Sequence, residues 1–206
     1  MLTAKQLRIL NFFGKNLFRE YSFKELKKSS KEKSNSVLQN AIKQFLKEEL
    51  IIERKIGTSK LYMVNHENDK FYSYFDIIIK ESLPAAVKKS IDVIKQELNN
   101  HTYFYSIVVF GSYATSKQKE ASDLDVAVFF EKEAQKKAIL AALGSAGDKT
   151  LLELDGHAIT RGEFLEMLKA DYANLGKEIA RNHLVIHNPC IFYALLKEGI
   201  KNGFRL

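Results

Sequence analysis

The sequence predicts an α+β protein built from two parts of different character. The first third of the chain has three helix-periodic segments followed by a β-hairpin, and the remainder alternates β-prone runs with helical segments. The charge divides in the same way, since residues 1–66 hold 14 Lys/Arg against 6 Asp/Glu and residues 67–206 hold 18 against 19. All of the net charge of +7 therefore belongs to the first part, which favours an anionic partner there.

The composition indicates a globular protein with a sizeable core. Apolar residues make up 46% of the 206 positions and only two residues are proline. The first residues do not resemble a signal peptide, and no apolar run is long enough to span a bilayer. The single cysteine, Cys190, excludes an internal disulfide and a multi-cysteine zinc site. We therefore expect a cytoplasmic protein with no membrane partner.

Each of the three N-terminal helices begins at a recognisable cap. Thr3 suits the N-cap of the first helix, and Ser22 with Glu25 forms a capping box for the second. Ser34 starts the third helix. Its predicted buried stripe is Val37, Leu38, Ala41, Ile42, Phe45 and Leu46.

A β-hairpin is expected after the third helix. Two β-prone runs, residues 51–56 and 60–64, flank a turn at residues 57–59. Three helices followed by a basic-tipped hairpin resemble a winged helix-turn-helix domain, which we assign to residues 1–66. In that family the third helix enters the major groove and the hairpin, or wing, contacts the DNA backbone.

The resemblance implies two sets of DNA-binding residues. The outward face of the third helix carries Asn35, Ser36, Gln39, Asn40 and Lys43, and the wing carries Arg54, Lys55 and Lys60. Asn and Gln have the donor–acceptor pair that reads an adenine edge, whereas Arg and Lys contact phosphates without reading sequence. The alternative is a module that docks a protein, with a helix face that is merely solvated.

Residues 67–100 are expected to form a helical connector. Asp69 suits the cap of one helix, and Pro84 suits the first turn of the next. Apolar residues recur in the second helix at near-heptad spacing. These helices either pack on the second domain or form the seam of a homodimer, and the sequence does not choose.

A buried strand at residues 105–110 ends at Gly111 and Ser112. Residues 113–119 suit a short helix, so Gly111 and Ser112 are expected at a strand-to-helix turn. Such a turn offers backbone N–H groups to an anion, and a glycine lets a phosphate approach the backbone.

Asp123 and Asp125 open the next strand, and alternation places both on one face. Carboxylates about 6 Å apart repel by about 3 kcal/mol at an effective dielectric near 20. A pair of this kind either raises one pKa or binds a cation, and ligands that are all oxygen favour Mg²⁺ over zinc.

The residues of this segment are similar to a known signature. Gly111-Ser112, a ten-residue spacer and Asp123-x-Asp125 resemble the DNA polymerase β-type nucleotidyltransferases, in particular their minimal branch. The resemblance covers roughly residues 100–165, within an expected domain of residues 101–206. It implies a mixed sheet with helices on one face. It departs from the family at Thr115-Ser116, where a basic residue and a glycine are usual.

The resemblance also implies the site residues and their ligands. Ser112 and the backbone after Gly111 would hold the β- and γ-phosphates of a nucleoside triphosphate, with ATP as the expected donor. Asp123 and Asp125 would bind two Mg²⁺ ions. A third carboxylate on a neighbouring strand would help to activate the attacking hydroxyl.

The third carboxylate has two candidates on the strand predicted over residues 150–159. Glu153, Asp155 and His157 share one face by the period of two, and Thr160 caps the helix that follows. The family pattern favours Asp155 over Glu153 as the third carboxylate. It also makes His157, two residues after Asp155, a candidate residue of the site. Gly156 suggests a bulge or a close backbone approach.

The C-terminal part adds few elements. We predict one amphipathic helix that continues to Leu175, an edge strand at residues 184–187 and a final helix after Asn188-Pro189. These elements are too few for a separate helical nucleotide-binding domain.

The sequence therefore supports one main hypothesis and leaves others open. The main one is an Mg²⁺-dependent enzyme that moves a nucleoside monophosphate from an NTP to an acceptor hydroxyl on a protein or a nucleic acid. The alternative is a DNA-binding transcriptional regulator whose transferase domain is catalytically inactive and senses a nucleotide. The sequence names neither the acceptor nor the DNA site.

Overall fold

The computed structural model describes residues 1–14, 17–30, 32–119 and 122–206. The chain divides into two compact units, Met1–Glu81 and Ser82–Leu206. The two helices of the expected connector fall on either side of this division. None of the helices in the described residues is both long and apolar enough to cross a bilayer.

The first unit combines helices with a small antiparallel sheet. Its elements are α1 (Ala4–Phe13), β1 (Tyr21–Ser22), α2 (Phe23–Ser29), α3 (Asn35–Lys47), β2 (Ile51–Ile56), β3 (Ser59–Val64) and α4 (Asp69–Ser82). The strands lie in the order β1–β3–β2, and both pairings are antiparallel. β2 and β3 form the predicted hairpin, with Ser59 already paired to Ile56.

The predicted starts of α1, α2 and α3 are confirmed. Thr3 and Ser22 each form a capping box, with Gln6 and Glu25 as the third residues of their helices. The side chain of Ser34 accepts the Val37 N–H at the start of α3. Local hydrogen bonds of this kind can be read from sequence because both partners lie within one turn.

Two features of the first unit differ from the expectation. β1 was not predicted, because two residues are too few to show a period of two; Tyr21 pairs with Tyr62 across the sheet. The cap of α4 is Asn68 rather than Asp69, since the Asn68 side-chain oxygen accepts the Lys70 N–H at 2.9 Å. Asp69 is the first residue of that helix.

The second unit contains a mixed sheet with helices. Its helices are α5 (Ala85–Asn99), α6 (Gly111–Ala114), α7 (Lys136–Gly147), α8 (Arg161–Lys169), α9 (Leu175–Arg181) and α10 (Pro189–Lys201). Its strands are β4 (Tyr105–Val109), β5 (Leu124–Phe130), β6 (Leu154–Thr160) and β7 (Leu184–His187). The strand order is β6–β5–β4–β7, with β5 and β6 parallel and the other pairs antiparallel. The predicted mixed α+β architecture is therefore confirmed, with β7 at the edge.

Helices cover both faces of this sheet, whereas the resemblance implied one. The Phe129 ring on β5 lies 4.9 Å from Phe164 of α8 and 5.1 Å from Phe192 of α10. On the opposite face, Gly156 of β6 packs so closely against α7 that a Cβ there would lie 3.2 Å from Leu143. The glycine thus marks a close approach, one of the two outcomes predicted for it.

The single helix predicted to continue to Leu175 is instead two helices. α8 ends at Lys169 and α9 begins at Leu175. Asn174 separates them, because its side-chain oxygen caps Lys177 while its amide donates to the Met167 carbonyl at 2.8 Å. The amphipathic pattern runs through both helices, so periodicity alone could not show the break.

His183, just before β7, gives the second unit a pH-dependent stability. Its ring donates from Nδ1 to the Ile179 carbonyl at 2.9 Å and packs against Phe192. Burial lowers the pKa of His183 from 6.5 to about 4. Between these two values the unfolded chain binds a proton that the folded chain excludes, so stability is present above pH 6.5 and is lost as the pH falls towards 4.

We expect the free energy of unfolding to fall by about 2–3 kcal/mol between pH 7 and pH 4.5 because of this residue. In a His183→Gln variant, which keeps a donor for Ile179, that pH-dependent loss should disappear. Urea unfolding at both pH values measures it, with His101→Gln on the surface as the control. An unchanged loss in His183→Gln would contradict the assignment.

Candidate active site

The termini of three strands, β4, β5 and β6, lie side by side at one end of the second sheet. β4 runs antiparallel to β5, whereas β6 runs parallel to it. The carboxyl end of β4 therefore lies beside the amino ends of β5 and β6. Gly111 follows β4, Asp123 precedes β5, and Asp155 is the second residue of β6. Residues 120 and 121 of the predicted spacer lie outside the described residues.

The structure brings Asp125 and Asp155 together. They are register partners on adjacent parallel strands, where side chains of paired residues point to the same face and strands are about 4.8 Å apart. Asp123 lies one residue before β5 and is exposed. Glu153 precedes β6 and is exposed, and its backbone carbonyl accepts the Leu124 N–H at 2.8 Å. The register thus places Asp155, and not Glu153, beside Asp125.

The Gly-Ser turn touches the same carboxylate. Gly111 has a φ of +62°, and a Cβ at this position would lie 2.1 Å from Oδ2 of Asp125. The backbone N–H of Ser112 lies against the Asp125 carboxylate and favours its ionised form. Glycine is required here by backbone conformation and by the aspartate together. The expected contact of this turn with a phosphate stays a prediction.

The short helix after the turn is shifted from its predicted position. α6 covers Gly111–Ala114 instead of residues 113–119. The Thr115 hydroxyl donates to the Gly111 carbonyl at 3.0 Å, and Ser116 has a φ of +55°, which ends the helix. Thr115 and Ser116 are the residues at which the sequence departs from the family pattern, and they lie where α6 ends.

The surroundings of Asp125 disfavour the charged form of its carboxylate. Its pKa is raised, first by burial and then by the charge of Asp155, with smaller contributions from Asp123 and Glu178; the Ser112 N–H opposes them. No Lys or Arg in the described ranges forms an ion pair with Asp123, Asp125 or Asp155. The three carboxylates are therefore held together without a Lys or Arg partner from the described part of the chain.

Two neighbours of this cluster add to what the sequence indicated. His157 lies 3.2 Å through Nε2 from Oδ1 of Asp155, and its ring lies 5.7 Å from that of Phe110. Glu178 comes from α9 and acts on Asp125 although 53 positions separate them in the chain. The period of two predicted that His157 shares a face with Asp155, but no local pattern pointed to Glu178.

The carboxylates suit a divalent cation that takes only one or two ligands from the protein. Within the described part of the chain, no three Asp, Glu, His or Cys side chains are grouped closely enough to hold a metal ion. Mg²⁺ does not need such a cage, because it is commonly held by one or two carboxylates together with water and substrate phosphates. The uncompensated Asp125 and Asp155 pair, with Asp123 beside it, fits that mode of binding.

The predicted DNA-binding residues lie on α3 and on the wing of the first unit. The side chains of α3 named above, Asn35, Ser36, Gln39, Asn40 and Lys43, are all exposed, opposite the buried Leu38, Ala41, Ile42 and Phe45. On the wing, Arg54 pairs with Glu20 at 2.6 Å and Lys60 pairs with Glu53 at 3.0 Å, whereas Lys55 is exposed without an ion pair to any described residue. The wing therefore has fewer unpaired basic side chains than its sequence suggests.

Comparison with known proteins agrees with the chemistry of the second unit. Residues 92–160, which are 69 of the 206 residues, match the family described as Polymerase beta, Nucleotidyltransferase. The match runs from α5 to the end of β6 and includes Gly111, Ser112 and the three aspartates. No curated protein matches the chain.

Two solved structures are similar to the chain at low TM-scores. One is a toxin–antitoxin crystallised with AMP-PNP, with 18% identity over 54% of this chain and 84% of that one, at a TM-score of 0.36. The other is TrmBL2, an archaeal chromatin protein with a novel mode of DNA binding, with 14% identity over 100% of this chain and 95% of that one, at 0.27. At these TM-scores neither likeness bears on the fold.

A methyl group at residue 111 should displace Asp125. We expect Gly111→Ala to lower the free energy of unfolding by about 3 kcal/mol, through backbone strain and the clash with Oδ2. Gly57→Ala is the matched control, because Gly57 has a φ of +58° and nothing within 4 Å of the added Cβ. Its cost should be about 1 kcal/mol. Equal losses by calorimetry would contradict the contact between Gly111 and Asp125.

The charge of Asp155 should be visible in the titration of Asp125. We expect the pKa of Asp125 to lie above its ordinary value of 3.8 and to fall in an Asp155→Asn variant, because one like charge has been removed. Carbon-13 NMR of the side-chain carboxyl measures it. The exposed Asp148→Asn serves as the control. An Asp125 pKa that does not respond to Asp155→Asn would show that the two carboxylates do not interact.

Proposed function

We propose that the protein is a nucleotidyltransferase that moves a nucleoside monophosphate from an NTP, with ATP as the donor, onto an acceptor hydroxyl of a protein or a nucleic acid. The observation that carries the proposal is the pairing of Asp125 with Asp155 beside the Gly111-Ser112 turn. It is supported by the family match, which covers that segment.

In this proposal Asp123, Asp125 and Asp155 are the ligands of two Mg²⁺ ions. When bound, the ions would neutralise the charge on the transferred phosphoryl group and lower the pKa of the attacking hydroxyl. The raised pKa of Asp125 supports this role, since a carboxylate crowded by like charges gains most from a cation. Phosphoryl transfer asks little else of a protein than positioning and charge neutralisation.

The other residues of the site hold these groups in place. The Ser112 N–H lies against Asp125, while the Ser112 hydroxyl makes no contact with the described residues that would prevent it from holding a β- or γ-phosphate. His157 acts as a positioning residue, because its Nε2 contact orients Asp155. Gly111 keeps the turn close to the carboxylate without a Cβ between them.

We further propose that residues 1–66 bind DNA as a winged helix-turn-helix domain, joined by a connector at residues 67–100 to a transferase domain at residues 101–206. The element order α1–β1–α2–α3–β2–β3 and the exposed polar face of α3 support this part. Residues 1–66 have a net charge of +8, from 14 basic and 6 acidic residues, which favours binding to a polyanion.

The second candidate is a DNA-binding regulator whose inactive transferase domain senses a nucleotide. The observation that favours it is the pair Thr115 and Ser116 at the end of α6, where the resembled family has a basic residue and a glycine. Both functions use the same nucleotide site. They differ in whether the α-phosphate is transferred.

The transfer reaction is tested with ATP labelled at the α-phosphate, Mg²⁺ and a lysate of the source organism. We expect label in a protein or nucleic acid, and a loss of at least about a hundredfold in Asp125→Asn, since metal catalysis contributes several kcal/mol. Asp155→Asn should lose activity to a similar degree.

Glu153→Gln is the matched control, because Glu153 lies two residues from Asp155 and is not opposite Asp125. It should retain most of the activity. Labelling that survives Asp125→Asn would contradict the proposed site. An unlabelled lysate, together with retained ATP binding, would favour the regulator.

A further inference from the structure

A cleft on the surface of the first unit is lined almost entirely by lysines. Its walls are Lys24, Lys27, Lys28 and Lys33, with Glu32, and its volume is about 420 Å³. Three of the lysines come from α2, where spacings of three and four residues place them on one face of the helix. The aliphatic parts of these side chains line the cleft, so that the four lysine ammonium groups and one carboxylate surround it.

The single carboxylate is already engaged elsewhere. Glu32 accepts the backbone N–H of Ser34 at 2.9 Å and pairs with Lys5 at 3.2 Å. The Ser34 N–H, followed by Lys5, lowers the pKa of Glu32, so the group is charged and occupied. None of the four lysines forms an ion pair with another residue that the structure describes. The positive charge of the cleft is thus uncompensated.

The wing is different, although its sequence is equally basic. Arg54 and Lys60 are paired with Glu20 and Glu53, and an ion must leave its partner before it can neutralise a phosphate. Such a rearrangement returns less free energy than binding by an unpaired lysine. The lysines of α2 are therefore available to an external polyanion, whereas two of the three basic side chains of the wing are already paired.

The cleft also adjoins the start of α3. Lys33 immediately precedes Ser34, the N-cap of α3, and the first two residues of that helix, Asn35 and Ser36, are exposed. A phosphodiester chain held by the lysines would therefore pass the amino end of α3. Backbone contacts of this kind fix the register of a protein on nucleic acid without reading its sequence.

We propose that this lysine cleft holds the phosphodiester backbone of the nucleic acid bound by the first unit, and that the cleft, rather than the wing, supplies most of the sequence-independent affinity. The inference rests on the DNA binding proposed above and assigns its phosphate contacts to α2 and Lys33.

The test measures the salt dependence of binding to a fluorescent duplex of mixed sequence, with the full chain. In Lys24→Gln/Lys27→Gln/Lys28→Gln, the slope of log K against log salt should become shallower by about 0.9 for each phosphate that is no longer neutralised, or about 2.7 for three. Arg54→Gln/Lys60→Gln should change the slope by less than the value for a single phosphate, about 0.9.

A charge-matched control separates local contacts from net charge. Lys88→Gln/Lys169→Gln/Lys201→Gln also removes three positive charges, but from exposed positions of the second unit. This variant should leave the slope of log K against log salt unchanged. All substituted side chains of the α2 variant lie on the surface cleft, and thermal unfolding verifies that the variant is folded.

The outcomes distinguish the inference from the proposed function. A steep wild-type slope that is reduced only by the α2 variant supports the cleft. A steep wild-type slope that the α2 variant keeps overturns the cleft and leaves DNA binding by the first unit in place. If the wild-type chain does not bind the duplex even at low salt, the proposed DNA binding and the cleft are both wrong.

Discussion

Two carboxylates opposite each other on neighbouring parallel strands are the constraint on which the second unit depends. Asp125 and Asp155 share a face and a register, and burial together with the charge of Asp155 raises the pKa of Asp125. Three neighbouring residues accommodate this pair of carboxylates. Gly111 leaves room for Asp125, the Ser112 N–H favours its charge, and His157 holds Asp155. Among the described residues no Lys or Arg offsets this repulsion, which costs stability in the way that is common at functional sites.

The two units concentrate charge of opposite sign at different places. In the second unit the acidic side chains meet where the carboxyl end of β4 lies beside the amino ends of β5 and β6. In the first unit the lysines of α2 line an open cleft, while the basic residues of the wing are largely paired with glutamates. The number of basic or acidic residues in a segment therefore does not show how much of its charge is left unpaired.

Local features of the fold could be predicted from sequence, and long-range ones could not. Thr3, Ser22 and Thr160 were recognised as caps because each bonds to a residue three positions away. The face shared by Asp155 and His157 followed from the period of two. The position of Asp155 opposite Asp125 depends on strand order. The repulsion between Glu178 and Asp125 and the ion pair of Glu20 with Arg54 depend on tertiary packing. Helices on both faces of the sheet were missed for the same reason.

The most direct test of the Mg²⁺–nucleotide site is the melting temperature of the wild type and of Asp125→Asn, with and without Mg²⁺ and a non-hydrolysable ATP analogue. Without ligand, the variant should melt at the higher temperature because one like charge is gone. With both ligands, the wild type should gain the larger increase, since bound ligand stabilises the folded state. Equal increases in the two proteins, or no increase in either, would contradict a metal and nucleotide site at Asp125.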